Sequence, residues 1–323
     1  MSNDLQKQKR FDCLFCGEIC VDVPIRPIDR GRPLDEATLL PVEPITLGGG
    51  GSVPNSGIAF AKMGLRSAAL GCVGDDVFGR FILDKMSAAG MDVSHVVTRA
   101  ELPTSATAVL GGEDGEHTFA YHGGASRAFD RHVFAAHREV FQEARFALFG
   151  YYSLMPQLED DLPDLLAEVQ GLGCQTALDA AGGGGAMQPL DRILPHLDIY
   201  VPSYGEAQQQ TQCDEPRAMI ERYRAYCPKG LLGVKLGARG ALLQTREEEW
   251  IEVAPVQPPG PVVDTTGAGD CFYAGLIAGL AQGLSPGDAG RIAAAAGACS
   301  VTGVGAVEGM VAYTQLAAMA TKG

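Results

Sequence analysis

The sequence predicts an α/β fold: a mostly parallel, doubly wound sheet covered by helices on both faces, with a small β-sheet standing off the main body. Three observations lead there. Short apolar runs of strand length alternate with helix-like segments over most of the 323 residues. Two stretches, 19–46 and 104–121, break that rhythm, being extended and alternating with no helix between. No internal repeat, low-complexity tail or linker divides the chain, so residues 1–323 read as one domain with an inserted lid.

In chain order, strands are expected at Phe11–Gly17, 68–73, 146–149, 176–179, 199–201 and Leu231–Lys235. Helical patterns fall at 55–63, 78–89, 158–171 and 216–226. Right-handed crossovers between such strands place ligand loops at the strand C-termini. Within 104–121 the run Glu113-Asp114-Gly115-Glu116 predicts a hairpin turn. The two extended stretches either pair into a separate small sheet or form edge strands of the main one.

Composition narrows the function. The chain is 46% hydrophobic and 20% charged, which suits a globular protein and excludes general disorder. Its formal net charge is −14 with no Lys/Arg stripe, which argues against nucleic acid or an anionic membrane as partner. If the ligand is a nucleotide, backbone amides, a helix N-terminus and a metal ion must meet its phosphates. The polar start, residues 1–10, has no signal-peptide core, and the uncharged stretch between Asp270 and Asp288 reads as a buried helix; a cytoplasmic location is expected. Cys13, Cys16 and Cys20 lie close together. In a strand, however, residues three apart face opposite sides, so buried apolar roles are expected rather than a metal site.

The strongest chemical signal is Asp264-Thr265-Thr266-Gly267-Ala268-Gly269-Asp270, ahead of an apolar helix. Small residues at 267–269 let the backbone approach an anion, with the free N–H groups of the helix start pointing at it. Asp270 at the first turn could take a proton from an attacking hydroxyl. Read from the residues alone, a purely structural cap remains open. Neither G-x-x-x-x-G-K-[ST] nor G-x-G-x-x-G occurs.

This run, continued by Cys271-Phe272-Tyr273-Ala274-Gly275, resembles the C-terminal signature of the PfkB (ribokinase-like) carbohydrate kinase family. The resemblance covers roughly residues 10–315, with the motifs in family order. It implies a three-layer α/β/α fold with a β lid, and transfer of the ATP γ-phosphoryl to a primary hydroxyl of a sugar or sugar acid. It implies Asp270 as base, with Gly267, Ala268 and Gly269 as anion hole. The run Gly48-Gly49-Gly50-Gly51-Ser52-Val53-Pro54-Asn55 resembles the family's substrate loop, which implies Gly50, Gly51 and Asn55 as acceptor contacts; Asn55 is otherwise a plain N-cap. Gly17-Glu18-Ile19-Cys20-Val21-Asp22 resembles the first strand, implying that Asp22 grips sugar hydroxyls.

Val201-Pro202-Ser203-Tyr204-Gly205-Glu206 resembles the N-x-x-E element that organises Mg²⁺ and phosphates, with Ser203 in place of the Asn. This implies Glu206 on the hydrated ion. Val234 to Gly240 resembles the strand and turn beside the nucleotide, implying Lys235 and Gly237 as nucleotide contacts, though Lys235 reads equally as a strand-end residue; Thr266 of the 264–270 run is a further expected nucleotide contact. Residues 300–305, with the carbonyls of Asp264 and Thr266, resemble a monovalent-cation loop, so K⁺ is an expected companion of Mg²⁺. Asp75 and Asp76 are expected to be structural, Gly182–Gly185 a loop rather than a cleft lining, and His117 and His122, in the lid hairpin, packing or surface residues rather than substrate contacts. A homodimer through the lid is expected. Two rivals remain: a nucleoside kinase on the same scaffold, which a cluster of aromatic lid residues would favour and which the overall aromatic content of 7% does not suggest, or a non-catalytic binding regulator.

Overall fold

All seven residues of β1 (Phe11–Gly17) are buried, as a near-continuous apolar run requires when a strand is covered on both faces. A computed structural model of the chain describes residues 9–29, 39–112, 117–181 and 187–321. β1 lies between β4 (Ser67–Leu70) and β9 (Ala144–Gly150) and pairs parallel with both. The sheet continues in parallel through β10 (Gln175–Asp179), β11 (Ile199–Tyr200) and β12 (Leu231–Lys235). It ends on antiparallel β13 (Ala241–Gln244) and β14 (Trp250–Val253), giving the order β14-β13-β12-β11-β10-β9-β1-β4.

Alternation sorts the side chains into two cores. Cys13 and Phe15 face the layer containing helices Ser52–Lys62, Val77–Ala88, Ala268–Ala281 and Pro286–Ser300. Leu14 and Cys16 face the layer containing Leu162–Gly171 and Pro216–Arg224. This is a three-layer α/β/α fold. Cys13 and Cys16 thus enter opposite cores, and no metal-holding cluster of His, Cys, Asp or Glu exists among the described residues.

The second sheet has the order β3-β2-β7-β8, formed by Gly48–Gly50, Cys20–Ile28, Ser105–Gly112 and His117–His122. β2 and β7 run parallel while the outer pairs are antiparallel. The two irregular stretches therefore make a separate sheet, not edge strands. The expected turn at 113–116 lies outside the described residues, as do residues 30–38 and the loop Gly182–Gly185. Three expectations need correction. β2 stops at Ile28, and the third strand comes instead from the glycine run at 48–50. The single strand at 68–73 is two: after Gly71 the chain leaves the main sheet as β5 (Cys72–Gly74), pairing with β6 (Val97–Arg99). The helix expected from 158 begins at Leu162, after a run of turns. Asp76 caps the helix Val77–Ala88, its carboxylate accepting from Gly79 N at 2.7 Å, as a structural role requires. No described helix is long and apolar enough to cross a membrane.

Candidate active site

The segments following β9, β10 and β11 and the cavity face of the small sheet converge on an open cavity of about 740 Å³. Its lining includes Asp22, Gly51, Asn55, Glu206, Thr266 and Asp270. A smaller cavity of about 350 Å³ lies at the opposite strand ends, against Gln175, Ile199 and Leu231, away from these groups.

Asp270 is 3% exposed and stands in the first turn of the helix Ala268–Ala281. Gly267 opens that helix with φ 73°, a left-handed conformation, and a Cβ there would lie 2.3 Å from Ala306 Cβ. Glycine therefore permits both the turn and the close packing of the 300–306 loop. The amides at the start of the helix have no carbonyl one turn earlier to bond, which leaves partial positive charge at this end. The Ala268 N–H is partly engaged, reaching Thr265 O at 3.3 Å. The Asp270 carboxylate accepts from Asn55 Nδ2 at 3.0 Å and from the Tyr151 hydroxyl at 3.0 and 3.1 Å. Burial pushes this carboxyl above the usual range, while Asn55, the Lys235 ammonium and Tyr151 pull it back.

Asp22 owes its place to Gly50. A Cβ on Gly50 would lie 2.1 Å from Asp22 Oδ1 and 2.6 Å from Oδ2. In register, Asp22 stands beside Gly48 on one side and Thr107 on the other, and Thr107 faces Tyr121, so one row of the small sheet carries polar groups to the cavity. Burial pushes the Asp22 carboxyl up to about 7, against a hydrogen bond from Thr107. Asn55 Oδ1 is buried with no hydrogen-bond partner. An orphaned acceptor in a buried site is costly unless a ligand supplies the donor. Asn55 sits inside the helix Ser52–Lys62, not at its cap, which is Gly51.

On the other side of the cavity, Lys235 Nζ lies 3.3 Å from Asp179 Oδ1, and both side chains are buried. Burial drives Asp179 upward and Lys235 opposes it, whereas Asp179, Glu206 and Asp270 together hold the ammonium charged. We read the pair as ionised, since three carboxylates surround one cation. Its place is beneath the Gly267–Gly269 turn: a Cβ on Gly269 would come 3.2 Å from Lys235 Nζ. Lys235 and Gly237, expected as nucleotide contacts, are not among the residues lining this cavity. Ser203 replaces an asparagine of the resembled motif without loss of helix order. It forms a capping box, its N–H and Oγ donating to Glu206 Oε2 at 2.7 and 2.8 Å. The Asp264 carboxylate ties two loops together, accepting from Thr266 N and Gly305 N, each at 2.9 Å.

Several groups at the site escaped sequence reasoning. His117, expected to pack or face solvent, lines the cavity with Nε2 3.8 Å from Asp264. With Phe119 and Tyr121 it forms an aromatic row along one face of β8, and Tyr151 faces the same cavity. The cluster that overall composition did not suggest is therefore present; the period-two spacing at 117, 119 and 121 was its signal. Glu18 is 1% exposed, accepts from the Tyr121 hydroxyl at 3.0 Å, and keeps Oε2 unpartnered; burial pushes it up to about 7.

The pfkB family carbohydrate kinase model matches residues 13–312. A 2-dehydro-3-deoxygluconokinase of Bacillus subtilis (strain 168) is 27% identical over 283 residues, covering 83% of this chain and 85% of that protein. An Arabidopsis thaliana ribokinase is 29% identical over 272 residues, covering 81% and 69%. Among solved structures, Arabidopsis thaliana ribokinase complexed with ribose and ATP superposes with a TM-score of 0.81 at 23% identity, covering 96% of this chain and 98% of that one. Adenosine kinase from Sinorhizobium meliloti superposes with a TM-score of 0.80 at 21% identity, covering 97% and 99%. With a family match over nearly its whole length, this chain belongs to the pfkB family of carbohydrate kinases.

Proposed function

We propose that the protein transfers the γ-phosphoryl of ATP to a primary hydroxyl of a sugar or sugar acid, with Asp270 as base. The observation that carries this reading is the placement of a buried, raised-pKa carboxylate in the first turn of an anion-facing helix, in the same cavity as Asp22 and Asn55. One rigid element then holds both the proton acceptor and the amides of Gly267, Ala268 and Gly269 that would face the transferring group. Such an arrangement suits a reaction accelerated mainly by positioning and electrostatics. Asp22 would accept acceptor hydroxyls, and the orphaned Asn55 Oδ1 would take another. The backbone of Gly50 and Gly51 would lie against the sugar.

The donor set fits a hydrated Mg²⁺ that arrives with phosphates and needs one or two carboxylates rather than a protein cage. Glu206 lines the cavity and Asp179 lies buried beside it. Bound there, the ion would neutralise charge on the phosphate oxygens. The Asp264 tie brings together the loops whose carbonyls would hold a monovalent cation such as K⁺. The small sheet would act as a lid excluding water. Its surroundings expose Leu39 and Ile45 at 83% and 61%, where a second copy would pack.

The aromatic row of His117, Phe119 and Tyr121, with Tyr151, favours a second reading, in which the acceptor is a nucleoside whose base stacks on these rings. A coupled assay of ATP consumption over sugars, sugar acids and nucleosides decides between them. Asp270→Ala tests the base in the same assay: phosphoryl transfer should be lost while nucleotide binding stays nearly intact. Near-wild-type turnover by this variant with the substrate found would overturn the assignment.

A further inference from the structure

We infer that Tyr151 is a positioning residue for the base: its hydroxyl, donated to both oxygens of Asp270, aims the carboxylate so that Oδ1 is the atom presented to the acceptor. The inference rests on Asp270 being the base, and the experiment below separates the two.

A carboxylate has about four lone-pair sites. Asn55 Nδ2 takes one on Oδ2, and the Tyr151 proton is shared, 3.0 Å from Oδ2 and 3.1 Å from Oδ1. Oδ2 therefore serves two donors and Oδ1 only one. An incoming hydroxyl finds its free lone pair on Oδ1. Ser56 Oγ donates to the Asp270 carbonyl at 3.2 Å, so the main chain is anchored as well as the side chain.

The backbone of Tyr151 shows that this placement is imposed. Its φ of 61° and ψ of 46° lie in the left-handed region, which aromatic residues seldom adopt. The position follows Gly150, the last residue of β9, and is fixed by Tyr151 N donating to Asp179 O at 2.8 Å. Such strain persists only where surrounding structure enforces it, and it concentrates at functional sites. Burial and the adjacent Asp270 carboxylate hold the phenol protonated, so it stays a donor.

Other groups act on Asp270 from every side: Lys235 from β12, Asp179 from β10, Glu206 from the helix Tyr204–Thr211, Asp22 from β2, and Cys271 on its own helix. Tyr151→Phe alters none of them. It keeps the ring and removes only the donor, so the carboxyl titration should move further up. Tyr151→Gly removes the ring too, but relieves the left-handed strain; a shift shared by both variants belongs to the hydroxyl.

Two readouts are needed. The Asp270 carboxyl is titrated by NMR in protein labelled with ¹³C-aspartate, its peak identified by its loss in Asp270→Asn; this requires no acceptor. In parallel, kcat is measured from pH 5.5 to 9 with Mg-ATP and whichever of D-ribose, 2-dehydro-3-deoxy-D-gluconate or adenosine turns over fastest. Both variants should raise the titration midpoint and the acid limb by about one unit. The kcat at pH 6 should then fall about fivefold and that at pH 9 by less than about threefold, with KM for ATP unchanged. A midpoint moved by less than about 0.2 unit, or a kcat loss uniform across pH, overturns the inference. Turnover by Asp270→Asn would instead overturn the base assignment, whatever Tyr151 does.

Discussion

Replacing Gly50 by alanine tests how the acceptor end is built, because the three atoms nearest to the added Cβ all belong to the Asp22 carboxylate. The Cβ would lie 2.1 Å from Asp22 Oδ1, 2.3 Å from Cγ and 2.6 Å from Oδ2, where ordinary contact begins at 3.4 Å. Since the whole carboxylate is too close, a small rotation cannot clear it. Asp22 must leave for another staggered rotamer. Gly50 does not occupy the left-handed region, so alanine adds no backbone strain there. The loss should therefore fall on binding rather than on folding. Hydrogen bonds to a charged partner are worth roughly 1.5–3 kcal/mol each. With two acceptor hydroxyls on Asp22 and partial replacement by water, about 3 kcal/mol should be lost, on the order of 100-fold in kcat/KM for the acceptor. The assay is steady-state turnover at saturating Mg-ATP, with circular dichroism confirming the fold. Asp22→Ala should show the same loss, and Gly50→Ala combined with Asp22→Ala should be no worse than Asp22→Ala alone, because both remove one interaction. Wild-type kcat/KM in folded Gly50→Ala, or losses that simply add in the double variant, would refute the reasoning.

Glu18→Gln should stabilise the protein at pH 8 and not at pH 4. Burial raises the Glu18 carboxyl to about 7, so its contribution is fully present below the unfolded value of 4.5 and is lost as pH rises through about 7. Gln keeps an acceptor for Tyr121 and cannot ionise; a gain of about 2 kcal/mol at pH 8 is expected in chemical denaturation, and equal stability of the two proteins at pH 8 would contradict it. Lys235→Met should cost about 3–5 kcal/mol by leaving Asp179 as a buried, unpaired carboxylate. Adding Asp179→Asn should recover most of that loss, and failure to do so in urea melts would show that the Lys235 ammonium acts on groups other than Asp179.

The parts of this architecture that were legible in the sequence follow from local rules. β1 and β12 have their expected limits because an apolar run buried on both faces admits no other reading. Asp270 was singled out by the resemblance of its glycine-rich turn to a family signature; from the residues alone a structural cap read equally well. What stayed hidden depends on tertiary placement. Nothing local in Tyr151-Tyr152 announces a left-handed residue, since the usual signs are Gly or Asn. Asp179 was visible only as a strand end ahead of a glycine run; its pairing with Lys235 spans 56 positions and follows from β10 and β12 flanking β11 with their C-terminal ends at the same edge of the sheet. The aromatic row on β8 was hidden by averaging: a content of 7% over 323 residues says little about three ring-bearing residues at alternate positions on one strand.

The net charge of −14 poses a physical problem that the site geometry answers. The cavity is lined by the carboxylates of Asp22, Glu206 and Asp270, and no Lys or Arg appears among the described residues lining it. The buried cation nearby, Lys235, is already matched to Asp179. A triphosphate entering such a cavity gains little from side-chain charge, so its attraction must come from the amide-bearing helix start at Gly267 and from cations carried with it. The same scarcity serves the chemistry. A free lysine beside Asp270 would lower its pKa and weaken it as a base, whereas burial among other carboxylates raises it. Under the proposed reaction, backbone amides would meet the phosphates while the lysine stays in a buried pair, so that binding a polyanion and keeping one carboxylate basic would not conflict.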